Sequence, residues 1–340
     1  MRTWLFRLRT RTSAALVLAG LLSLSVSCTV RPEVTSTPVE VSPIAPTRTA
    51  TPPPVAPKIV LVAADGTDVR IAGEAEAALQ DLATRTGSEF NRTNALPDGD
   101  TTAIELLIAL APDPGIQIWA ETHSATQTAS LGILGIQDAD NLTVLAPDGV
   151  RYDQLGFALG YLGAMVTPEY RLGAWALEPS AESLSLARGF VAGGTYYCGL
   201  CRPVHPPYEG YPVLFEGPGA DLMSSGVKTL LVAPAPSSLS DLGLDPASGM
   251  AFLGPGDAFT GQAPTWIASA DFDVAGAIDA LWTQIQAGQG GGLIPLGIRF
   301  HTVDSARVSE GRLLLAESVL GELVAGRIDT GVDPATGEPR

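Results

Sequence analysis

The sequence predicts an α/β protein of two lobes, each a mainly parallel sheet flanked by helices. Short continuous apolar runs alternate with stretches of helical period, the pattern of strands buried on both faces and joined by crossover helices. Of 340 residues, 46% are hydrophobic and only 16% charged, which is ample material for a core. The alternating region spans about 270 residues, more than one compact sheet needs, and so divides into two bodies.

Lys58–Ala64 (KIVLVAA) is the first such run, and it ends at Asp65-Gly66. A helix follows, with Ile71, Ala75, Ala78, Leu79 and Leu82 at helical spacing and Gly87 where it would stop. Next come a helix over Thr102–Leu110 and a strand over Ile116–Ala120, then a strand over Leu142–Ala146 and a helix through Leu155, Leu159, Leu162 and Val166. Strands are expected at Leu172–Leu177, Pro212–Glu216, Thr229–Ala233, Met250–Leu253 and Thr265–Ala268, with helices over Glu182–Gly193 and from Asp273. The latter has Val274, Ala277, Ile278, Leu281 and Ile285 on one face, Asp273 as its N-cap and Gly288 beyond its end. The expected first lobe is residues 58–168 with about 290–328, and the second is residues 169–289. Residues 329–340, rich in Gly, Pro and Asp, read as a flexible tail.

Arg2, Arg7, Arg9 and Arg11 precede an apolar stretch, Ser13–Leu24, that falls short of the ~20 residues of a spanning helix, and small residues follow. Residues 1–27 therefore read as a signal peptide. Its end, Leu24-Ser25-Val26-Ser27-Cys28, resembles a bacterial lipobox, with Ser25 where that pattern has an aliphatic residue; the resemblance implies lipidation of Cys28. Residues 28–57, rich in Pro, Thr, Val and Ser, carry no apolar period and read as a tether. At ~3.1 Å per residue the tether would reach about 90 Å. The expectation is a body on the extracytoplasmic face of the cell membrane, held there by its lipid.

Acidic side chains outnumber basic ones 36 to 20, for a formal charge of -16, which excludes nucleic-acid binding through a general basic field. His123, His205 and His301 are the only histidines, and the sequence contains no Gly-x-Ser-x-Gly elbow, Gly-x-x-x-x-Gly-Lys-Ser/Thr loop or His-Glu-x-x-His helix. No catalytic residue, metal or cofactor is expected, and the chain does not read as an enzyme. Asp138 with Asp140, and Asp271 with Asp273, read as solvated loop or capping carboxylates, and Gly288–Gly292 as a turn or interlobe crossing because it follows a helix. Behind a signal peptide, Cys198 and Cys201 predict a small disulfide loop; a zinc site using His205 would need a fourth ligand that the sequence does not point to.

Several segments resemble the basic membrane protein family, the nucleoside-binding lipoproteins of ABC importers with a type I periplasmic-binding-protein fold. Asn141–Val166 (NLTVLAPDGVRYDQLGFALGYLGAMV) is similar to the family's strand and Gly/Ala-rich helix leading into the second lobe. Arg171–Ala176 (RLGAWA), Leu186–Gly194 (LARGFVAGG), Ala270–Leu281 (ADFDVAGAIDAL) and Gly321–Ile328 (GELVAGRI) resemble later family segments. The resemblance implies a solute-binding protein that hands a nucleoside-like ligand to an ABC permease. Its nucleoside loops are matched only loosely: Asp65 stands at the family's aspartate, no Ser-Phe-Asn follows it, and Gly254–Phe259 stands for a second loop.

The general rule for open α/β sheets places ligands beyond the carboxyl ends of strands. The expected cleft residues are therefore Asp65, Trp119, Glu121, Asp257 and Phe259, with carboxylates accepting from hydroxyls or amines and aromatics stacking on a ring. Phe190 reads as a core side chain. The function expected is capture of a small polar ligand between the lobes for import; the alternative is a ligand-sensing or structural surface lipoprotein of the same fold.

Overall fold

Residues 56–208, 210–219, 221–234, 249–256 and 265–340 are described in the computed structural model. The expectations for the signal peptide, for Cys28 and for nearly all of the tether lie outside the described residues, as do those for Asp257 and Phe259.

The run Lys58–Val62 forms β1, buried from Ile59 onward. It feeds α1 (Val69–Thr86), whose N-terminus is capped by Asp68 and whose end is Gly87 in the left-handed region, a conformation glycine adopts without strain. The chain then lays down β2 (Glu89–Thr93), β3 (Ile104–Leu110), α2 (Ile116–Thr122), β4 (Gln127–Leu131) and β5 (Leu142–Leu145). With β11 (Gly292–Ile294) these strands make an all-parallel sheet in the order β11-β5-β4-β3-β1-β2.

The second sheet uses β6 (Leu172–Ala176), β7 (Val213–Glu216), β8 (Thr229–Ala233), β9 (Ala251–Gly254), β10 (Trp266–Phe272) and β12 (Ile298–His301), in the order β12-β10-β9-β8-β6-β7. Its neighbours are parallel except β12, which runs antiparallel to β10. Leaving aside β11 and β12, both sheets have the doubly wound order second-first-third-fourth-fifth, which opens a crevice where the first and third strands part. The chain passes between the sheets after Leu145, after Phe272 and after Ile294. The expected fold class is thus the observed one: two mainly parallel sheets flanked by helices.

Two element assignments are corrected. Residues expected as a helix over Thr102–Leu110 form the strand β3, and those expected as a strand over Ile116–Ala120 form the helix α2. A short apolar run buried on both faces carries no period that separates helix from strand. The distinguishing signal lies just before α2, where Asp113 Oδ1 accepts from the N–H groups of Gly115 (2.8 Å) and Ile116 (3.0 Å), an Asx-type start.

The lobes also divide differently. Helix α3 (Tyr152–Val166), expected with the first lobe, packs on α4 (Ala181–Tyr197) and on β10 of the second sheet. Helix α6 (Val274–Gln286), expected with the second, packs on α1 and β11 of the first. The α3–α4 contact explains its own placement. A Cβ on Gly156 or Gly160 would lie 2.0 Å from the Leu186 carbonyl oxygen or 1.9 Å from that of Phe190, and one on Gly189 or Gly193 would lie 2.2 Å from the Asp153 oxygen or 2.0 Å from that of Phe157. The helices touch backbone to backbone, so glycine at all four places is a steric requirement. Phe190 is fully buried beside them.

The tail expected to be flexible is docked. Thr330 and Val332 are buried, Arg188 of α4 donates to the Gly337 carbonyl at 2.8 Å and pairs with Glu338 at 2.6 Å, and Val332 bridges to Pro339. Thr330 Oγ1 also donates at 2.5 Å to Asp153. That carboxylate is fully buried and held by both Arg151 Nε (2.8 Å) and Nη2 (2.7 Å). Helix α7 (Glu310–Val324) completes this side against α3. A disulfide joins Cys198 to Cys201 just past α4. The glycines after α6 make a turn in which a Cβ on Gly290 would lie 1.8 Å from the Asp140 carbonyl oxygen.

Candidate functional site

Loops from both lobes meet around a cavity of about 530 Å3. From the first lobe come Asp68, Val69 and Arg70, after β1; Tyr152, at the start of α3, lies beside them. Facing these are Glu178, Ser180, Glu182 and Ser183 after β6, Ala233 at the end of β8 with Pro234 after it, and Pro255 after β9. In each lobe the loop after the first strand of the doubly wound order contributes, which is where such sheets hold their ligands.

Local sequence sets each wall. Asp68 Oδ1 caps α1 by accepting from the N–H of Arg70 (2.8 Å) and of Ile71 (3.3 Å), and its Oδ2 accepts from the Tyr152 hydroxyl. The cap fixes the first turn and so aims Arg70 across the cleft. Arg70 Nη1 donates to Asp271 Oδ1 at 3.3 Å, and its guanidinium stacks 5.4 Å from the Tyr152 ring centroid and 6.0 Å from that of Phe272. On the other wall a reciprocal Ser180–Ser183 capping box starts α4 and holds Glu182 in its first turn.

Asp271 is the junction of the site. It sits within β10, 8% exposed, where the sequence suggested a solvated or capping carboxylate. The strand continues to Phe272, past the expected end at Ala268, and carries Asp271 inward. Besides Arg70, it accepts from the Gly256 N–H (2.9 Å) and contacts His301 Nε2 on β12 (2.6 Å). It thereby ties the first lobe, the loop after β9 and the edge strand together. Asp273 does act as the cap of α6, accepting from the Gly276 N–H at 3.1 Å.

Carboxyl pKa values register the local charge. Glu74, one turn beyond Arg70 on α1, is pushed up to about 7 by burial and by the Asp271 charge, with Arg70 and Arg299 offsetting in part. Glu182 is raised by burial and by Asp68, and burial raises the Tyr152 phenol. For Glu74 the folded-state pKa lies above the unfolded one, so the folded form binds the extra proton and gains stability below it. The penalty is absent below about pH 4.5 and complete above about pH 7. Glu74→Gln is therefore expected to raise Tm at pH 8 and leave it nearly unchanged at pH 4.5. Equal shifts in calorimetric scans at the two pH values would contradict this.

The expected site residues are distributed unevenly. Asp65 is exposed in the turn after β1; Asp68, the cap of α1, and Arg70 in its first turn line the cavity instead. Trp119 is 7% exposed in the apolar cluster beneath α2, donates from Nε1 to the Pro97 carbonyl at 3.0 Å and stacks on His123. Glu121 is exposed on α2. Neither Trp119 nor Glu121 reaches the cleft, because Ile116–Ala120 is a helix and Ala120 no strand end. Sequence reasoning missed Arg70, Tyr152, Glu178, Glu182 and Asp271. For Glu178 and Glu182 a signal existed: they follow the strand Leu172–Ala176, whose carboxyl end was not among those projected onto the cleft.

No family model matches the sequence, and no curated protein matches it. Solved structures do. An ABC transporter system solute-binding protein from Conexibacter woesei DSM 14684 superposes with a TM-score of 0.56 at 16% identity, covering 81% of this chain and 98% of that one. An ABC transporter system solute-binding protein from Aeropyrum pernix K1 gives 0.51 at 12% identity, covering 81% and 93%. The fold is accordingly the two-lobed α/β architecture of periplasmic solute-binding proteins.

Proposed function

We propose that the protein is an extracytoplasmic solute-binding lipoprotein that captures a small polar ligand between its lobes and presents the closed form to an ABC permease. The observation that carries this is the cavity itself, walled by both lobes at the carboxyl ends of β1, β6, β8 and β9. A ligand touching both walls contributes contacts that exist only when the lobes are together, and so shifts the population toward closure. The crossings after Leu145, Phe272 and Ile294 supply the hinge. The sequence resemblance supports a nucleoside-like solute, and Glu178 and Glu182 supply acceptors for its hydroxyl or amino groups. The lipobox-like Cys28 and the tether supply the membrane attachment.

The test is a thermal-shift screen of the protein against nucleosides, sugars, amino acids and amines, since a ligand binding only the folded state must raise its apparent stability. At a ligand concentration 100 times Kd the expected gain is about 2.7 kcal/mol. Silence across every class would refute solute capture. Membrane attachment is tested apart from this: Cys28→Ser is expected to move the protein from the membrane to the soluble fraction, and retention in the membrane would refute lipidation.

A further inference from the structure

We infer that the solute is an organic cation, a small molecule with an ammonium or guanidinium group beside an apolar or ring-bearing body. This rests on the cleft's being a solute-capture site and names, from the charge on its walls, a solute class other than the nucleoside-like one that the sequence resemblance supports. The argument is the balance of charge on the walls. Asp68 is satisfied by two backbone N–H groups and the Tyr152 hydroxyl. Arg70, the one guanidinium among the described residues lining the cavity, is matched by Asp271 at 3.3 Å. Glu178 and Glu182 line the opposite wall, and their carboxylates have no hydrogen-bond or ion-pair partner among the described residues.

Among the described residues lining the cavity, no basic side chain besides Arg70 stands near these carboxylates. An α-helix N-terminus would ordinarily favour an anion. At α4 the Ser180–Ser183 box already occupies the cap, and Glu182 places a carboxylate in the first turn. An anionic solute would meet uncompensated carboxylates, whereas a cation would neutralise them. Burial, and after it the Asp68 charge, raises the Glu182 carboxyl while Arg70 offsets in part, so a cation placed beside it would lower the cost of its ionised form. The cavity is also lined by Val69, 88% exposed, and by Leu186, Pro234 and Pro255, which suit the solute's uncharged body.

The experiment uses the full chain and probes matched in shape and differing in charge: tyramine, 4-ethylphenol and 3-(4-hydroxyphenyl)propanoate, with agmatine and uridine beside them. Thermal shift and calorimetric titration are run at 20 and 200 mM salt. The expected result is binding of tyramine or agmatine, weakened by the higher salt and weakened at least tenfold by Glu178→Gln with Glu182→Gln. Those substitutions lie at exposed positions, and because burial raises the Glu182 carboxyl the unliganded Tm should not fall. Binding of uridine or 4-ethylphenol as tight as that of the amines overturns the cation and leaves solute capture standing. Amine binding unaffected by the two substitutions also overturns it, because the amine then sits elsewhere. Failure of both amines overturns the cation, whereas solute capture itself falls only if every class of the wider screen is silent.

Discussion

Replacing Gly160 with valine is expected to abolish the native packing of the second lobe. The added Cβ alone would sit 1.9 Å from the Phe190 carbonyl oxygen. Overpacking typically costs about 1–3 kcal/mol where side chains can rotate away, but here the obstacle is the backbone of α4, so no rotamer relieves it. The helices must separate, and separation also disturbs Gly156, Gly189 and Gly193, which make the same kind of contact. The expected loss exceeds about 3 kcal/mol and is read as a fall in the denaturation midpoint or as failure to accumulate folded protein. Gly73→Ala, on α1 with open space around the new Cβ, is the control and should be neutral or stabilising. A Gly160→Val protein as stable as the parent would refute the backbone contact.

The second large effect is expected at Asp271. Removing its carboxylate leaves Arg70 without its partner across the cleft, strips an acceptor from the Gly256 N–H and takes away the group facing His301. Breaking a buried pair by deleting one partner costs about 3–5 kcal/mol. The pair here is partly exposed, with side-chain exposures of 27% for Arg70 and 11% for Asp271, which places the expected loss for Asp271→Ala toward the lower end, about 3 kcal/mol. Arg70→Met with Asp271→Asn should recover part of it, because neither charge is then left alone. A double-mutant cycle measures the coupling, and additive losses would show that the cross-cleft pair carries no energy of its own.

The parts of the fold legible in the sequence are those with a local signal. β1 and α1 are marked by an apolar run, a change of period and a stopping glycine, and α6 by Asp273 and its apolar face. Ile104–Leu110 and Ile116–Thr122 were exchanged because each is seven residues long and largely apolar, too short for period to decide. The lobe boundary was misplaced for a different reason: the glycines of α3 look like poor helix residues until the matching glycines of α4 are set against them. The site was the least legible. Its junction pairs Arg70 with Asp271 across 201 positions, and no local pattern announces a contact at that distance. Its general place at the strand ends was legible from physics; the side chains there were not, since Asp68 and Arg70 project where Asp65 does not.

The docked C-terminal segment limits where the protein can be trimmed. A stretch of Asp, Gly, Pro and Thr invites removal when a minimal folded unit is sought for crystallisation or spectroscopy. Cutting residues 329–340 would take Thr330 from the buried Asp153, Glu338 from Arg188, and the Gly337 backbone from the start of α4, where a Cβ at that glycine would lie 2.7 Å from the Ser185 nitrogen. That start is also a wall of the cleft. A shortened protein would then return weak affinities that reflect a loosened helix end and not the solute offered.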